Sequence, residues 1–218
     1  MTKKYLLDAN IYGEMVIDKE LRQIRDNFEA LKKEILVYGI NSVIRKELRN
    51  TPKKIRIEGK NLRNFLLILY DSFTKDHQLA ITEDLNKIAD AYYTKYRELG
   101  GSKSKSEMTN DFLIVACASK NGMNIIVSQD EKSMRMENAV KAYKIIDDIN
   151  KFRTPEFIAY EDFKKILRSK PNKFIGSPDK VWVFLLFFNL LNCLIQVNLS
   201  FFPFHNSIAV SQIYKLFA

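Results

Sequence analysis

Apolar residues along this chain fall into two patterns, short unbroken runs and longer stripes at helical spacing. Tyr5-Leu6-Leu7 predicts a short buried strand, the run Asn124 to Ser128 around Ile125-Ile126-Val127 predicts another, and Ile35-Leu36-Val37-Tyr38 is a further apolar run between them. Between them the period lengthens. Ile17, Leu21, Ile24, Phe28 and Leu31 predict a helix from Ile11 to about Lys33, and Leu85, Ile88, Ala89, Tyr92, Tyr96 and Leu99 predict another, closed by Gly100-Gly101. Asn61 to Phe73 is apolar around most of a helix circumference, which suits a core helix or a partner-binding surface. Gly39 breaks the second run, and Ile40 to about Arg49 continues as helix, or as strand turning into helix, up to Thr51-Pro52. After a Ser/Lys loop, Ser102 to Ser106, Thr109-Asn110 predicts an N-cap for a helix Asp111 to Lys120, stopped by Asn121-Gly122. A further strand is expected at Tyr143 to Ile146 and a helix at Glu161 to Arg168. Strands alternating with helices argue for an α/β fold, a central parallel sheet flanked by helices.

Beyond Gly176 the character changes. Val181 to Phe202 carries no charge and is apolar at 17 of 22 positions, enough for a helix of roughly 33 Å that could cross a bilayer. Asn189, Asn192, Gln196 and Ser200 would share one face of it. The alternatives are an apolar tail that packs on the domain or between subunits, or an extension without a role. The expected organisation is a domain over 1–168 and a linker with an apolar tail over 169–218, with membrane contact confined to 181–202.

Composition narrows the chemistry. With 35 Lys and Arg against 26 Asp and Glu the formal charge is +9 and the pI about 9.4, which favours an anionic partner, nucleic acid or an anionic membrane surface ahead of acidic metabolites. Two cysteines, Cys117 and Cys193, form neither a disulfide framework nor a zinc spacing. Two histidines, His77 and His205, suit neither a histidine metal site nor a Ser-His-Asp arrangement, so any catalysis must rest on carboxylates. The start, Met1-Thr2-Lys3-Lys4, lacks the uncharged stretch of a secretory signal, and a cytoplasmic location is expected.

Four acids stand where apolar runs end or a helix begins: Asp8 after Leu7, Glu47 after Ser42-Val43-Ile44, Asp111 before Phe112-Leu113-Ile114, and Asp130 after the third run. In open α/β sheets ligands bind beyond the carboxyl ends of strands, so acids at several such ends can converge. Hard divalent cations prefer such oxygen donors. Taken singly, Asp111 could favour a helix dipole and Glu47 could be a solvated helix acid. As a set, Leu7-Asp8-Ala9-Asn10, Ser42-Val43-Ile44-Arg45-Lys46-Glu47, Asn110-Asp111-Phe112-Leu113-Ile114 and Ser128-Gln129-Asp130 resemble the PIN-domain family of nucleases, over approximately Lys4 to Leu167. The resemblance implies a Rossmann-like PIN domain whose acidic quartet, Asp8, Glu47, Asp111 and Asp130, binds one or two Mg²⁺ or Mn²⁺ ions and hydrolyses single-stranded RNA. Asn10, Asn110 and Ser128 match the small polar residues beside those acids, with helix-cap or turn roles as the alternative. The last motif departs from the family pattern, because Glu131-Lys132-Ser133-Met134 follows where an acid and an aromatic are common; Glu131 is the candidate substitute.

Next to Glu47 lie eight basic residues, Arg45, Lys46, Arg49, Lys53, Lys54, Arg56, Lys60 and Arg63, against Glu47 and Glu58, a local charge of +6. They are candidates for RNA backbone contacts or, equally, a solvated basic surface. The resemblance extends to toxins of type II toxin–antitoxin pairs, which brings an antitoxin into view as a partner, and a homodimer with it. A non-catalytic PIN-like RNA-binding or scaffold protein, with or without a membrane tether through its tail, is the competing reading.

Overall fold

The computed structural model describes residues 2–18, 35–57 and 59–168. Lys3–Leu7 (β1), Ile35–Tyr38 (β2), Ile125–Val127 (β5) and Glu156–Ile158 (β6) form one sheet in the order β2-β1-β5-β6, every pair parallel. Tyr5, Leu6 and Leu7 are all buried although successive side chains face opposite sides, so helices cover both faces. On one of them the Tyr5 ring lies 5.7 Å from that of Phe163 in the last helix. The predicted α/β architecture with a central parallel sheet is present.

The helices in chain order are α1 (Ala9–Ile17), α2 (Lys46–Asn50), α3 (Leu62–Thr74), α4 (Glu83–Glu98), α5 (Lys105–Lys120), α6 (Glu137–Asn150) and α7 (Tyr160–Arg168). A π turn, Asn41–Arg45, precedes α2, and a two-stranded antiparallel hairpin, Arg56–Ile57 (β3) with Lys60–Asn61 (β4), follows it. Asn61 caps α3 by accepting the backbone N–H of Asn64. This helix buries Leu66, Tyr70 and Phe73 and is therefore a core helix, with Ile68 left 68% exposed on its outer side.

Three expectations change. The first helix starts at Ala9 and ends at Ile17, because Asp18 is extended; the part of the predicted helix over 19–34 lies outside the described residues. The helix bearing Asp111 begins at Lys105 rather than at Asp111. Ser104 and Glu107 form a capping box, each side chain holding the other's backbone N–H, while the Thr109 hydroxyl donates to the Lys105 carbonyl as an interior helical residue. The strand expected at Tyr143 to Ile146 is part of α6: Ala139, Ala142, Tyr143 and Ile146 are one buried stripe at three- and four-residue spacing. The outer strand is instead β6, after Pro155.

A buried carboxylate ties the helical layer together. Asp147 of α6 accepts the hydroxyls of Tyr92 from α4, Ser119 from α5 at 2.9 Å and Thr154 at 2.7 Å. All described residues lie in one unit, Met1–Pro171; the apolar segment 181–202 lies outside them. Among the described residues no helix is long and apolar enough to cross a membrane. Asp147→Ala would leave three hydroxyls without their acceptor, and we expect it to cost about 2–4 kcal/mol in denaturant unfolding; a loss under 1 kcal/mol would show that the network does not hold the layer.

Candidate active site

The strand order reverses between β1 and β5: from β1 the chain moves outward to β2 on one side, and on the other to β5 and then β6. A crevice forms at such a switch point beyond the carboxyl ends of the two strands. Those ends are Leu7 and Val127, paired in register, and the Asp8 N–H donates to the Val127 carbonyl at 3.0 Å. Asp8 and Ser128, 120 residues apart in sequence, therefore emerge side by side.

Asp8 is only 6% exposed and is held by three donors. One oxygen accepts the Ala9 N–H at 2.7 Å; the other accepts Asn10 Nδ2 at 2.7 Å and the Ser128 hydroxyl at 2.8 Å. Ser128 Oγ in turn accepts the Asp130 N–H at 3.1 Å, and Asn10 Oδ1 accepts the Gln129 N–H at 3.3 Å. Asn10 and Ser128 thus brace the first acid and bind the β1 end to the β5 end. Burial pushes the Asp8 carboxyl up; its hydrogen bonds pull down, and the charge of Asp130 adds to the rise.

Asp111 stands seven residues into α5, away from the positive end of the helix dipole, and burial is the main force that pushes its pKa to about 7. The charges of Asp8, Asp130 and Glu47 add to that rise, while the Ser133 hydroxyl opposes it. Glu47 lies in α2, delivered by a π turn that packs against α5. Its side chain opens to solvent, yet the surrounding protein and then the charges of Asp8 and Asp130 raise its pKa. All four acids consequently share one electrostatic field. Among the described residues no lysine, arginine or histidine is paired with any of them.

The acids differ in how tightly the chain holds them. Asp130 shapes its own turn, with one oxygen accepting the N–H groups of Lys132 and Ser133, both at 2.9 Å, and the other accepting the Ser133 hydroxyl. Glu131 is exposed and lies 3.8 Å from Arg135. Asn110 is exposed on α5 and makes no hydrogen bond to the four acids. As the side chains stand, no group of three or more His, Cys, Asp or Glu among the described residues could hold a metal ion. Sequence reasoning passed over Ser133, buried between Asp130 and Asp111, although Asp130-Glu131-Lys132-Ser133 carries the turn signal that places it.

The basic stretch divides in two. Arg45 makes a forked pair with Asp71 of α3, both bonds at 2.8 Å; Arg56 donates to the Gly59 carbonyl and Arg63 to that of Thr51; and Lys60 lies 5.5 Å over the Phe65 ring. Lys46, Arg49, Lys53 and Lys54 are exposed, with no side-chain hydrogen bond or ion pair among the described residues.

No protein-family model matches the chain, and no curated protein matches it. Among solved structures it is similar to VapBC2 from Rickettsia felis bound to a promoter DNA fragment, at 16% identity over 72% of this chain and 98% of that chain, with a TM-score of 0.46. It is likewise similar to DNA-bound VapBC from Salmonella typhimurium (12%, 73% and 99%, TM-score 0.44) and to FitAcB from Neisseria gonorrhoeae (14%, 72% and 98%, TM-score 0.45). With every TM-score below 0.5, these likenesses lend no weight to an activity, and the architecture rests on the chain's own strand order.

The raised Asp111 pKa has a direct consequence for stability. Between its ordinary value of 3.8 and about 7 the folded chain holds a proton that the unfolded chain has released, so this contribution declines as pH rises through that window. In EDTA the melting temperature should fall from pH 5 to pH 8. Asp111→Asn should flatten that slope and, by relieving about 1–2 kcal/mol, raise Tm at pH 8 by roughly 2–8 °C. An unchanged slope would locate the titration elsewhere.

Proposed function

We propose that this chain is a PIN-type, metal-dependent endoribonuclease that hydrolyses phosphodiester bonds of single-stranded RNA. The observation that carries the reading is the gathering of four carboxylates in one field at the sheet's switch point, without a paired cation among the described residues. The donor chemistry fits Mg²⁺ or Mn²⁺: the site offers hard oxygens only, and their mutual repulsion is the deficit that one or two divalent charges would offset. Bound ions would polarise a phosphate oxygen and lower the pKa of an attacking water.

The chain's own residues divide the remaining work. Asp8, braced by Ala9, Asn10 and Ser128, offers a carboxylate already fixed in direction. Glu47, exposed to solvent, and Asp111, which faces the Ser133 hydroxyl, would close on the ion with it. Asp130, whose oxygens are engaged by its own turn, shapes the wall and contributes charge. Lys46, Arg49, Lys53 and Lys54 lie on and just after the helix that carries Glu47, positioned to hold an RNA backbone beside the acids. The motifs further support a toxin role, with an antitoxin as the inhibitory partner in a cytoplasmic setting.

The present spacing of the acids favours a second reading, a non-catalytic RNA-binding or scaffold protein. Cleavage of a mixed single-stranded RNA by the full chain separates the two. We expect cutting with Mg²⁺ or Mn²⁺, none in EDTA, and a loss of about 100-fold or more in Asp8→Asn and Asp111→Asn with unfolding curves retained. Binding without cutting by folded, metal-replete protein would select the second reading.

The same RNA tests the basic surface. Converting Lys53 and Lys54 to alanine should lower the slope of log affinity against log salt by roughly 0.7 for each lysine in phosphate contact. An unchanged slope would leave these lysines as solvated surface.

A further inference from the structure

The first helix is held at both ends by one residue of the last. At the start of α1, Asn10 Oδ1 accepts the Gln129 N–H at 3.3 Å, and Gln129 Oε1 in turn accepts the Tyr160 N–H at 3.2 Å. At its finish, the Tyr160 hydroxyl donates to Asp18 Oδ2 at 3.0 Å, and Lys164 Nζ lies 2.5 Å from the same oxygen. Tyr160 is buried as the first residue of α7, and Lys164 follows one turn later on the same helix face. Asn10, Gln129, Tyr160 and Asp18 thus close a ring whose last side is α1 itself, about 12 Å from Asn10 to Asp18.

Apolar contacts already seat α7: Phe163 and Leu167 are buried, and the Phe163 ring lies against that of Tyr5 in β1. Hydrophobic burial has no direction, however, and does not fix a helix against small turns and slides. Hydrogen bonds do, because they weaken steeply away from their set geometry. The Asp18 and Lys164 side chains are only 11% and 10% exposed, and a well-packed apolar pair in their place would stabilise the fold as much or more. What the polar ring adds is placement. Asp8 is the N-cap of α1, its carboxylate accepting the Ala9 N–H at 2.7 Å, so any turn or slide of α1 carries Asp8 with it.

We propose that α7 is a clamp on the crevice, with Tyr160 a positioning residue that fixes both ends of α1 and through it the Asp8 carboxylate. The clamp concerns where Asp8 stands and not what it binds, so it goes beyond the nuclease reading and holds equally for a chain that binds RNA without cutting it. It gives a part to Gln129, the middle residue of the Ser128-Gln129-Asp130 motif, whose side chain joins the two helices. Lifting α7 would release Asp8 without touching any of the four acids.

The test is amide hydrogen exchange, read by NMR on the full chain. Tyr160→Phe keeps the ring and the backbone N–H and removes only the bond to Asp18. We expect the Ala9 and Gln129 amides, held by the Asp8 and Asn10 side chains at the far end of α1, to exchange roughly tenfold faster. The buried β1 and β5 amides of Leu6 and Ile126 should keep their rates. Gln129→Met opens the ring at its exposed link and should speed exchange of the Asp18 amide, whose acceptor is the Glu14 carbonyl, by a smaller factor of about three. Faster exchange confined to Asp18 and its neighbours in Tyr160→Phe, with Ala9 and Gln129 at wild-type rates, would overturn the clamp. So would a rise shared equally by Leu6 and Ile126, which reports global unfolding. Should Tyr160→Phe fail to fold, the Asp18 amide in Gln129→Met decides alone, and a wild-type rate there overturns the proposal. None of these outcomes depends on cleavage, so the nuclease reading stands or falls separately.

Discussion

The pairing of β1 with β5 is the constraint on which the rest of the site depends. These strands are parallel and central, and their register sets Leu7 against Val127, so the next residues, Asp8 and Ser128, leave the sheet together. One hydrogen bond, Ser128 Oγ to an Asp8 oxygen at 2.8 Å, converts that register into an oriented carboxylate. A slip of one residue would turn the side chains of β5 to opposite faces, placing a polar serine where Val127 is buried and withdrawing the hydroxyl from Asp8. The buried runs on both strands oppose that slip, which is how hydrophobic pattern comes to control polar geometry.

Around this fixed point the chain holds its other acids with unequal firmness. Asp130 is locked by its turn, Asp111 rides on a long capped helix, and Glu47 stands on a five-residue helix entered through a π turn. Like charges so arranged repel, and the protein accommodates them by raising pKa values rather than by importing a lysine or arginine. A cation in the crevice would satisfy the same field more cheaply than protons do near neutral pH. The Arg45–Asp71 fork holds the Arg45 guanidinium on α3, where it pairs with that helix's carboxylate.

The central elements were readable because their signals are local. Tyr5-Leu6-Leu7, Ile35 to Tyr38 and Ile125-Ile126-Val127 are short apolar runs bounded by polar residues or glycine, and the acids at the ends of the first and last follow from topology once the sheet is parallel. Tyr143 to Ile146 misled because four residues cannot separate a strand from one turn of an amphipathic helix; only Ala139 and Ala142 upstream reveal the longer period. Thr109-Asn110 competed with Ser104-x-x-Glu107 as a helix start, and the capping box won by satisfying two N–H groups reciprocally. Ser133 carries a local turn signal, but its action on Asp111 of α5 depends on two segments distant in sequence, which spacing along one segment does not encode.

The separation of Asp8 from Ser128 by 120 residues also sets a timetable. During synthesis the first acid leaves the ribosome long before the strand that braces it, and β6, which pairs with β5, follows only at Glu156. At roughly 5–20 residues per second that interval lasts on the order of ten seconds, in which the nascent chain carries Asp8 without its crevice. A chain truncated before Val127 would retain three of the four acids and its basic surface, yet lack the partner strand that turns them into one site. Assembly of the crevice is thereby tied to near-completion of the domain, an ordering built into the strand sequence itself.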